Sequence, residues 1–489
     1  AGTVLHEIRN RLGFLKEVGL GYLTLTRLSR TLSGGETQRI NLASALGASL
    51  VDTLYVLDEP SVGLHARDNA LLIGILRRLK KLGNTVVVIE HDKDMIRKAD
   101  HIIDLGPGAG EQGGEIIYEG KYGGLKASRS SLTAKYIRKE LQIGLEKKYL
   151  RPEKTRFMRD KKITVREASE HNLKNISVEI PLGRFVVITG VSGSGKSTLT
   201  YNVLYNNFLR SRGRPITDVG TVRDVGGLEH IADTVLVDQT PIGRTPRSNP
   251  VTFIDAYGAI RNIFAKTKGG RLRKKAPRDF SFNVDGGRCD ECKGDGRIKV
   301  EMHFLADMYV QCEACQGTRF KKEILEIRYN GKNIHEVLQM TVDEAIDFFA
   351  DVPRILKKIN ILKDVGLGYL KLGQPAPTLS AGEAQRLKLA LELNQANRTN
   401  VLFLFDEPTV GLHYHDIRAL MQSLEKLLER GNSIVMIEHN MEVIKCADYI
   451  IDLGPEGGEK GGELVACGTP RDIMRCRNSY TGTFLKEYV

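Results

Sequence analysis

Short apolar runs alternate along this chain with stretches whose apolar residues recur at helical spacing. Residues 53–57 and 85–89 are apolar, rich in β-branched side chains and of strand length. Continuous apolar runs of this length are typical of strands buried on both faces of a parallel sheet. Between them, residues 70–82 carry apolar residues at helical spacing, and Gly83 follows as a stop signal. The order strand, helix, strand predicts an α/β fold.

The same pattern returns further along the chain. Residues 185–189 and 401–405 are again short apolar runs. The stretch between them is interrupted by glycines, basic runs and four cysteines, which indicates an inserted subdomain at about 255–378. We therefore predict a first α/β domain over 1–145, a charge-dense linker over 146–164 and a second domain over 165–489.

Three motifs occur twice in the same order, which indicates an internal duplication. The paired segments are Leu32-Ser33-Gly34-Gly35-Glu36 with Leu379-Ser380-Ala381-Gly382-Glu383, Asp58-Glu59 with Asp406-Glu407, and His91 with His439. The offset is 347 residues for the serines and 348 for the aspartates and histidines. We call the two sets the first copy and the second copy. A phosphate-loop string, G-x-x-x-x-G-K-[ST], occurs once, between them, at residues 190–197.

Composition narrows the class of protein. A chain of 489 residues is too long for one ordinary core. A net charge of +12 and a pI near 9.2 favour a polyanionic partner. No apolar run approaches the roughly 18 residues that span a bilayer, and no secretory leader is visible, so we expect a cytoplasmic protein without a membrane span.

The phosphate loop has the context that such loops require, because an apolar run precedes it and helix-forming residues follow it. Glycines let backbone N–H groups approach phosphate oxygens, and the helix N-terminus adds partial positive charge. We expect Lys196 to reach the β and γ phosphates of ATP and Ser197 to bind Mg²⁺. The alternative is a simple Gly/Ser-rich turn. The predicted nucleotide ligands here are Gly190, Val191, Ser192, Gly193, Ser194, Gly195, Lys196 and Ser197.

Carboxylates and imidazoles follow other apolar runs. Asp406 and Glu407 come directly after residues 401–405, so we expect Asp406 to hold Mg²⁺ and Glu407 to polarise the attacking water. His439 follows a further strand-like run, where its side chain can face the γ-phosphate. Gln239 ends another apolar run and is a candidate sensor of Mg²⁺ or water. A lone histidine or carboxylate pair is more often structural, and the recurrence in order favours the catalytic interpretation.

Together these motifs resemble the ABC ATPases. The resemblance implies parallel-sheet phosphate-loop cores that sandwich ATP, with the signature of one domain facing the phosphate loop of the other. It implies that Ser33, Gly34 and Gly35 close the site at residues 190–197. Free N–H groups at a helix N-terminus suit that role. Ala381 departs from the family pattern, since a methyl group stands where the first of two glycines is expected.

Four cysteines form two C-x-x-C pairs with the spacing of a zinc module: Cys289, Cys292, Cys312 and Cys315. Disulfides are the alternative, and the absence of a visible secretion signal disfavours them. Just before these cysteines, residues 266–278 hold seven basic residues and no acidic one. Such a run is either a solvated loop or a contact to a nucleic-acid backbone.

With the zinc module inside the cassette, the chain resembles the UvrA family, the DNA-damage recognition proteins of the bacterial excinuclease. Residues 237–250, 280–284, 299–304 and 364–369, and Gly-Leu-His at 63–65 and 411–413, carry this resemblance. It implies ATP, Mg²⁺ and Zn²⁺ as cofactors. The partners it implies are damaged duplex DNA, a second copy of the chain, and the second protein of the excinuclease, UvrB. A drug-resistance paralogue, a transporter ATPase and an inactive DNA-binding fragment are the alternatives.

The family carries two phosphate loops, whereas this sequence has one. The resemblance therefore implies that the chain is the C-terminal part of a longer protein, beginning inside the first ATPase domain. A sheet that lacks its phosphate-loop strand and helix leaves apolar surface uncovered. We expect such a surface within residues 1–145.

Overall fold

The computed structural model describes residues 2–29, 32, 34–47, 50–108, 110, 113–144, 161–238, 240, 242, 243, 245, 247–300, 308–395 and 398–489. None of the helices in these ranges is both long enough and apolar enough to cross a membrane. The chain divides into two compact units. Unit 1 comprises Ala1–Pro107, Gly113–Asp238 and Asn397–Val489, and unit 2 comprises Gly108–Gln112 and Gln239–Ala396.

The described strands are short, and most of them belong to unit 1. In chain order they are β1 Leu54–Asp58, β2 Thr85–Ile89, β3 Ile102–Gly106, β4 Glu115–Gly120, β5 Lys162–Ala168, β6 Ile176–Pro181, β7 Phe185–Gly190, β8 Asp224–Gly226, β9 Asp233–Val237, β10 Arg297–Val300, β11 Met308–Gln311, β12 Val401–Asp406, β13 Ser433–Ile437, β14 Tyr449–Gly454 and β15 Glu463–Gly468.

Helices occur in both units. In chain order they are α1 Gly2–Glu17, α2 Gly34–Gly47, α3 Ala66–Lys81, α4 Lys93–Lys98, α5 Tyr122–Ala127, α6 Leu132–Ile137, α7 Asn206–Ser211, α8 Pro250–Phe253, α9 Tyr257–Lys266, α10 Lys268–Leu272, α11 Lys322–Leu325, α12 Ile334–Gln339, α13 Val342–Phe348, α14 Pro353–Asp364, α15 Ala381–Asn394, α16 Tyr414–Glu429, α17 Met441–Ile444, α18 Pro470–Arg475 and α19 Tyr480–Leu485. A π-helical segment, Thr198–Tyr205, precedes α7.

A six-stranded sheet forms the centre of the second copy, in the order β15, β14, β7, β13, β12, β9. Its strands are parallel except for the edge strand β15, which is antiparallel to β14. The predicted strands at 185–189 and 401–405 are confirmed as β7 and β12, and both are buried along their length up to Phe405. The carboxyl ends of β7, β12 and β13 therefore meet at one edge of the sheet, where ligands bind in α/β folds.

In the first copy the predicted strands also form. Strands β1 and β2 pair in parallel, and β3 pairs with β4. The expectation that these strands are buried on both faces is wrong, because alternate residues of β1 and β2 are exposed. The physical reason is the missing neighbour, since no strand in the described part of the chain joins β2 to β3. The expected uncovered apolar surface is present and includes Leu54, Val56, Val87, Ile89, Ile103, Leu105 and Ile116.

The helix predicted at 70–82 is confirmed as α3, which begins four residues earlier. His65 caps its N-terminus by accepting the Arg67 N–H. Gly83 follows the last turn with a φ of +88°, a conformation that glycine adopts without strain. One face of the helix packs into the core of the first copy through Leu72, Ile73, Ile75, Leu76 and Leu79.

Unit 2 contains the cysteines of the two C-x-x-C pairs and most of the inserted region. Its helices surround a core with Phe264, Phe280 and Phe282 among its fully buried side chains. Strands β10 and β11 form an antiparallel pair that is exposed on both faces. The predicted domain boundaries stay a prediction, and residues 145–160, most of the predicted linker, lie outside the described ranges.

Candidate nucleotide site

The phosphate loop joins β7 to the helical segment that begins at Lys196. Gly190 has a φ of +133°, and a Cβ atom at this position would lie 1.9 Å from the carbonyl oxygen of Leu453 on β14. Any larger residue would push the loop off the adjacent strand. Gly193, with a φ of +75°, faces the ring of Tyr22, which a Cβ would approach to 2.8 Å. The loop thus needs glycine for close packing as well as for its backbone conformation.

Lys196 lies folded under this loop. Its side-chain ammonium donates hydrogen bonds to the carbonyl oxygens of Gly190, at 3.1 Å, and Val191, at 2.9 Å. Burial lowers the pKa of Lys196 to about 8, while the charges of Glu407 and Asp406 oppose this shift. A buried cation beside the loop is therefore available to a polyanionic ligand.

Asp406 and Glu407 stand at the carboxyl end of β12. Tyr201 donates a hydrogen bond of 2.8 Å to Asp406 Oδ2. Burial raises the pKa of Asp406 to about 6, and repulsion by Glu407 adds to this effect. The backbone of Glu407 has a φ of +47°, which is uncommon for a residue with a side chain and is a form of strain often found at functional sites.

His439 follows β13 and faces Glu407. Its Nε2 lies 3.2 Å from Glu407 Oε1, and the ring is almost fully buried. Burial lowers the pKa of His439 well below its usual range, and nearby Lys196 lowers it further, so the ring is neutral. The neighbouring Glu438 carboxylate accepts the His439 and Asn440 N–H groups at 2.7 and 2.9 Å, which fixes the turn that carries the histidine.

Residues of the first copy reach this site within unit 1. Ser192 in the phosphate loop donates a hydrogen bond of 3.2 Å to the carbonyl oxygen of Gly63. A Cβ at Gly63 would lie 3.1 Å from Glu407 Oε2. On α2, Arg39 is buried and its charge lowers the pKa of Glu407, although burial of Glu407 raises that pKa more. The segment at Gly63 therefore touches the nucleotide site of the second copy, and the charge of Arg39 on α2 acts on the same site.

Tyr22 and Gly63 were not among the residues predicted from the sequence. Tyr22 packs against Gly193, and its hydroxyl donates a hydrogen bond of 2.6 Å to Glu36. A signal for Tyr22 exists in the duplication, because Gly-Leu-Gly-Tyr-Leu recurs at 366–370, where the Tyr369 hydroxyl donates to Glu383 at 2.8 Å. Repeated tyrosines outside the known motifs could have pointed to this contact.

The remaining predicted residues are placed as follows. Ser33 and Gln239 lie outside the described residues, and Gly34 and Gly35 begin α2. Ser197 is exposed at the N-terminus of the π-helical segment. In unit 2, Ser380 caps α15 by accepting the Glu383 N–H, and Ala381 is the first residue of that helix. The structure therefore brings together the phosphate loop, Asp406, Glu407, His439 and α2.

The corresponding residues of the first copy form a similar constellation without a described phosphate loop. Glu59 also has a positive φ, +45°, and its carboxylate lies beside Gly411, as Glu407 lies beside Gly63. His91 Nε2 is 4.0 Å from Glu59 Oε1. Glu90 accepts the His91 N–H at 3.0 Å, as Glu438 does for His439. The two copies thus exchange equivalent contacts.

The four cysteines of the two C-x-x-C pairs come together in unit 2. Their sulfur atoms all lie within 4.8 Å of one another, with Cys292 and Cys315 at 3.6 Å, and all four residues are buried. Burial raises the pKa of Cys292 to about 12. A metal cation is the partner that stabilises buried thiolates, and four sulfurs at this separation fit tetrahedral zinc. All four cysteines are free of disulfides.

The basic run at 266–278 lies in the same unit and is partly helical, with α10 inside it. Arg273 and Lys275 form ion pairs with Glu326 and Glu323, at 2.5 and 3.0 Å. The other five basic side chains are exposed and have no carboxylate partner among the described residues: Lys266, Lys268, Arg271, Lys274 and Arg278.

No protein-family model matches the chain. It is 55% identical over 491 residues to UvrABC system protein A of Aquifex aeolicus and 52% identical over 485 residues to that of Thermus thermophilus. These alignments cover 100% and 99% of this chain but 52% and 50% of the relatives, so the chain spans about half of their length.

Solved structures give the same result. The crystal structure of UvrA2 from Deinococcus radiodurans matches with a TM-score of 0.90 at 43% identity, over 98% of this chain and 57% of that one. A model of ribosome-bound archaeal Pelota and ABCE1 matches with a TM-score of 0.53 at 19% identity, over 95% of this chain and 60% of that one, which shows the shared fold alone. The predicted α/β fold with ABC-type ATPase cores is confirmed. The chain is homologous, over its whole length, to about half of a UvrABC system protein A.

Proposed function

We propose that the chain binds and hydrolyses ATP at residues 190–197 and uses this cycle to recognise damaged duplex DNA, as the C-terminal part of a UvrA-type excinuclease protein. The observation that carries the proposal is the composite site. The phosphate loop of the second copy contacts Gly63 and Tyr22 of the first copy. ABC ATPases hydrolyse ATP at sites built from two such parts.

The residues fit a nucleotide. Ser194 Oγ in the loop is buried without a hydrogen-bond partner among the described residues. Buried polar atoms are normally paired, and its hydroxyl can donate to a phosphate oxygen. Backbone N–H groups of the loop and the Lys196 ammonium would hold the phosphates. Ser33, Gly34 and Gly35 would close the site from the first copy.

Glu407 would orient the attacking water and take up its proton. Burial raises the pKa of this carboxyl group, which makes it a better base than an exposed glutamate. His439 would hold Glu407 in position through Nε2, at 3.2 Å, with its ring beside the γ-phosphate. Asp406 and Ser197 would hold Mg²⁺, which supplies charge neutralisation at the phosphates when bound, and Gln239 would sense it.

DNA recognition is assigned to unit 2. The five exposed basic side chains without acidic partners would contact phosphates, which gives affinity without base sequence. Zinc at Cys289, Cys292, Cys312 and Cys315 would hold the exposed β10 and β11 pair beside them. Damage would then be detected through the shape and deformability of the duplex. A second copy of the chain and UvrB, the second protein of the excinuclease, are the further partners proposed, in the cytoplasm.

Glu407→Gln tests this function, with Glu59→Gln as its matched control. Both substitutions remove one carboxylate from an equivalent position, but only Glu407 lies beside the phosphate loop. We expect Glu407→Gln to lower ATP turnover at least about 100-fold while ATP still binds, because general-base catalysis contributes roughly 10²–10⁴-fold. Glu59→Gln should stay within about threefold of the parent chain. Turnover is measured by phosphate release with and without damaged duplex DNA.

Two outcomes would contradict the proposal. Equal turnover in both variants would separate Glu407 from the chemistry. DNA binding that does not weaken between roughly 50 and 200 mM salt, a range over which counterion release lowers affinity steeply, would exclude the phosphate contacts. Fluorescence anisotropy of a labelled duplex measures that dependence.

A further inference from the structure

His65 ends the Gly-Leu-His motif of the first copy, to which the sequence assigned no role, and it lies buried in the loop that leads to α3. Its Nδ1 accepts the Arg67 N–H at 3.3 Å, so in the neutral ring the proton lies on Nε2. Nε2 is 3.1 Å from the hydroxyl oxygen of Thr481, on the first turn of α19. His65 therefore donates a hydrogen bond from the first copy to a helix that follows the second copy.

Thr481 is also hydrogen-bonded to a buried carboxylate. Its hydroxyl has one proton, and an ionised carboxylate only accepts, so Thr481 donates to Asp452 Oδ1, at 3.1 Å. Ser479 donates to the other oxygen, Oδ2, at 2.6 Å. Asp452 is almost fully buried, and the two hydroxyl donors fix its orientation. The directions of all three hydrogen bonds follow from the chemistry of the groups.

Asp452 lies at the base of the phosphate loop. On β14 it is in register with Thr189, and the next pair is Leu453 with Gly190. The carbonyl oxygen of Leu453 is the atom that a Cβ at Gly190 would strike. A displacement of Asp452 would therefore move the strand on which the first residue of the phosphate loop rests.

The same arrangement occurs a second time, at the equivalent residues of the duplication: His413 stands 348 residues after His65, and Thr481 stands 348 residues after Thr133. His413 Nε2 lies 3.1 Å from Thr133 Oγ1, and Thr133 donates to Asp104 Oδ1 at 3.1 Å. Ser131 donates to Asp104 Oδ2 at 2.5 Å. The His415 N–H is accepted by His413 Nδ1, which gives the same tautomer. This series of hydrogen bonds is thus part of the repeated unit. Of its two occurrences, only the one that includes Asp452 leads to a described phosphate loop.

We propose that His65, Thr481 and Asp452 form a positioning relay through which the first copy holds the phosphate loop of the second copy in the geometry for ATP hydrolysis. The inference rests on the proposed function, because it concerns the same ATP. His65 packs edge-on against the His439 ring, with the centroids 6.3 Å apart, and acts on the loop through Thr481 and Asp452. The relay adds to the direct hydrogen bond from Ser192 to Gly63, which connects the loop to the same segment of the first copy.

Thr481→Val tests the relay, since it keeps the shape of the side chain and removes the hydroxyl. Thr133→Val is the matched control, because it makes the same change in the equivalent chain of the other copy. We expect Thr481→Val to lower kcat about tenfold with KM within roughly twofold, the size expected when a catalytic geometry is loosened. Thr133→Val should leave kcat within about twofold, and Thr481→Ser, which restores the hydroxyl, should recover most of the activity.

Hydrogen exchange of the amides of residues 190–197 provides a readout that does not depend on turnover. Faster exchange in Thr481→Val than in Thr133→Val supports the relay, and equal exchange overturns it even if the parent chain hydrolyses no ATP. If the parent chain shows no ATP turnover but the two variants differ in exchange, the result contradicts the proposed function and leaves the relay supported. If Thr481→Val does not fold, His65→Phe and His413→Phe replace the pair, and equal exchange in these two variants again overturns the relay.

Discussion

The sheets of the two copies differ in burial although their strands are alike in sequence. Strand β13 is buried at every residue, whereas its equivalent β2 exposes every second side chain. In the second copy β7 lies between β13 and β14. In the first copy β2 and β3 occupy the equivalent positions, and no described strand pairs with both. Burial of a parallel strand is therefore a property of its neighbours and not of its own residues.

The difference extends to the chemistry. Both copies place a glutamate with positive φ at the end of a strand and a histidine at the end of the next. Among the described residues, only the second copy has the loop that can hold a polyphosphate next to them. The separation of His439 from Glu407 is 3.2 Å, compared with 4.0 Å for His91 and Glu59. The comparison favours a nucleotide site at the second copy and a contact role for the first.

The largest expected effect concerns the loop itself. Lys196→Ala removes the cation under the loop, and we expect ATP affinity to fall at least about 100-fold, because a buried charge that pairs with phosphate is worth several kcal/mol. Binding is measured with a fluorescent ATP analogue. Lys93→Ala, a change in the first copy away from the loop, is the control. Tight residual ATP binding in Lys196→Ala would place a nucleotide at the first copy. That result would contradict the difference between the two copies.

A smaller effect is expected on stability, when equivalent valines that differ in burial are truncated. Val435 on β13 is 0% exposed and Val87, its equivalent on β2, is 46% exposed. We expect Val435→Ala to cost about 2 kcal/mol of unfolding free energy and Val87→Ala about 0.5 kcal/mol, because only the first leaves a cavity. Urea unfolding followed by circular dichroism measures both. Equal losses of unfolding free energy in the two variants would show that the exposed face of β2 is covered in solution.

The sequence allowed the strands, α3, the phosphate loop and the cysteine cluster to be predicted, because each depends on local spacing. Glycines at 190 and 195, for example, were recognisable from the motif alone. The contact of Tyr22 with Gly193 and that of His65 with Thr481 were not predicted, since they join residues more than 100 positions apart. The apolar runs of β1 and β2 indicated burial on both faces, because such a run carries no information on whether its neighbour is present. Their exposure could be expected only from the single phosphate loop in the sequence, which implied a missing strand.

The smallest expected effect is a pH dependence from His413, which is hydrogen-bonded to Thr133 in the arrangement equivalent to the relay. Burial lowers the pKa of His413 to about 4, and His91 and His415 contribute in the same direction, while Thr133 and Tyr136 face the ring without charge. The folded ring thus stays neutral below pH 6.5, where the unfolded chain takes up a proton, so stability falls as the pH drops. Between pH 7.5 and 5.5 we expect the parent chain to lose about 1 kcal/mol more unfolding free energy than His413→Gln, measured by urea unfolding. Gln is the control because it keeps a polar group that does not titrate. Parallel curves for the two proteins would mean that His413 is protonated in the folded state and that its chain to Asp104 differs from the one that begins at His65.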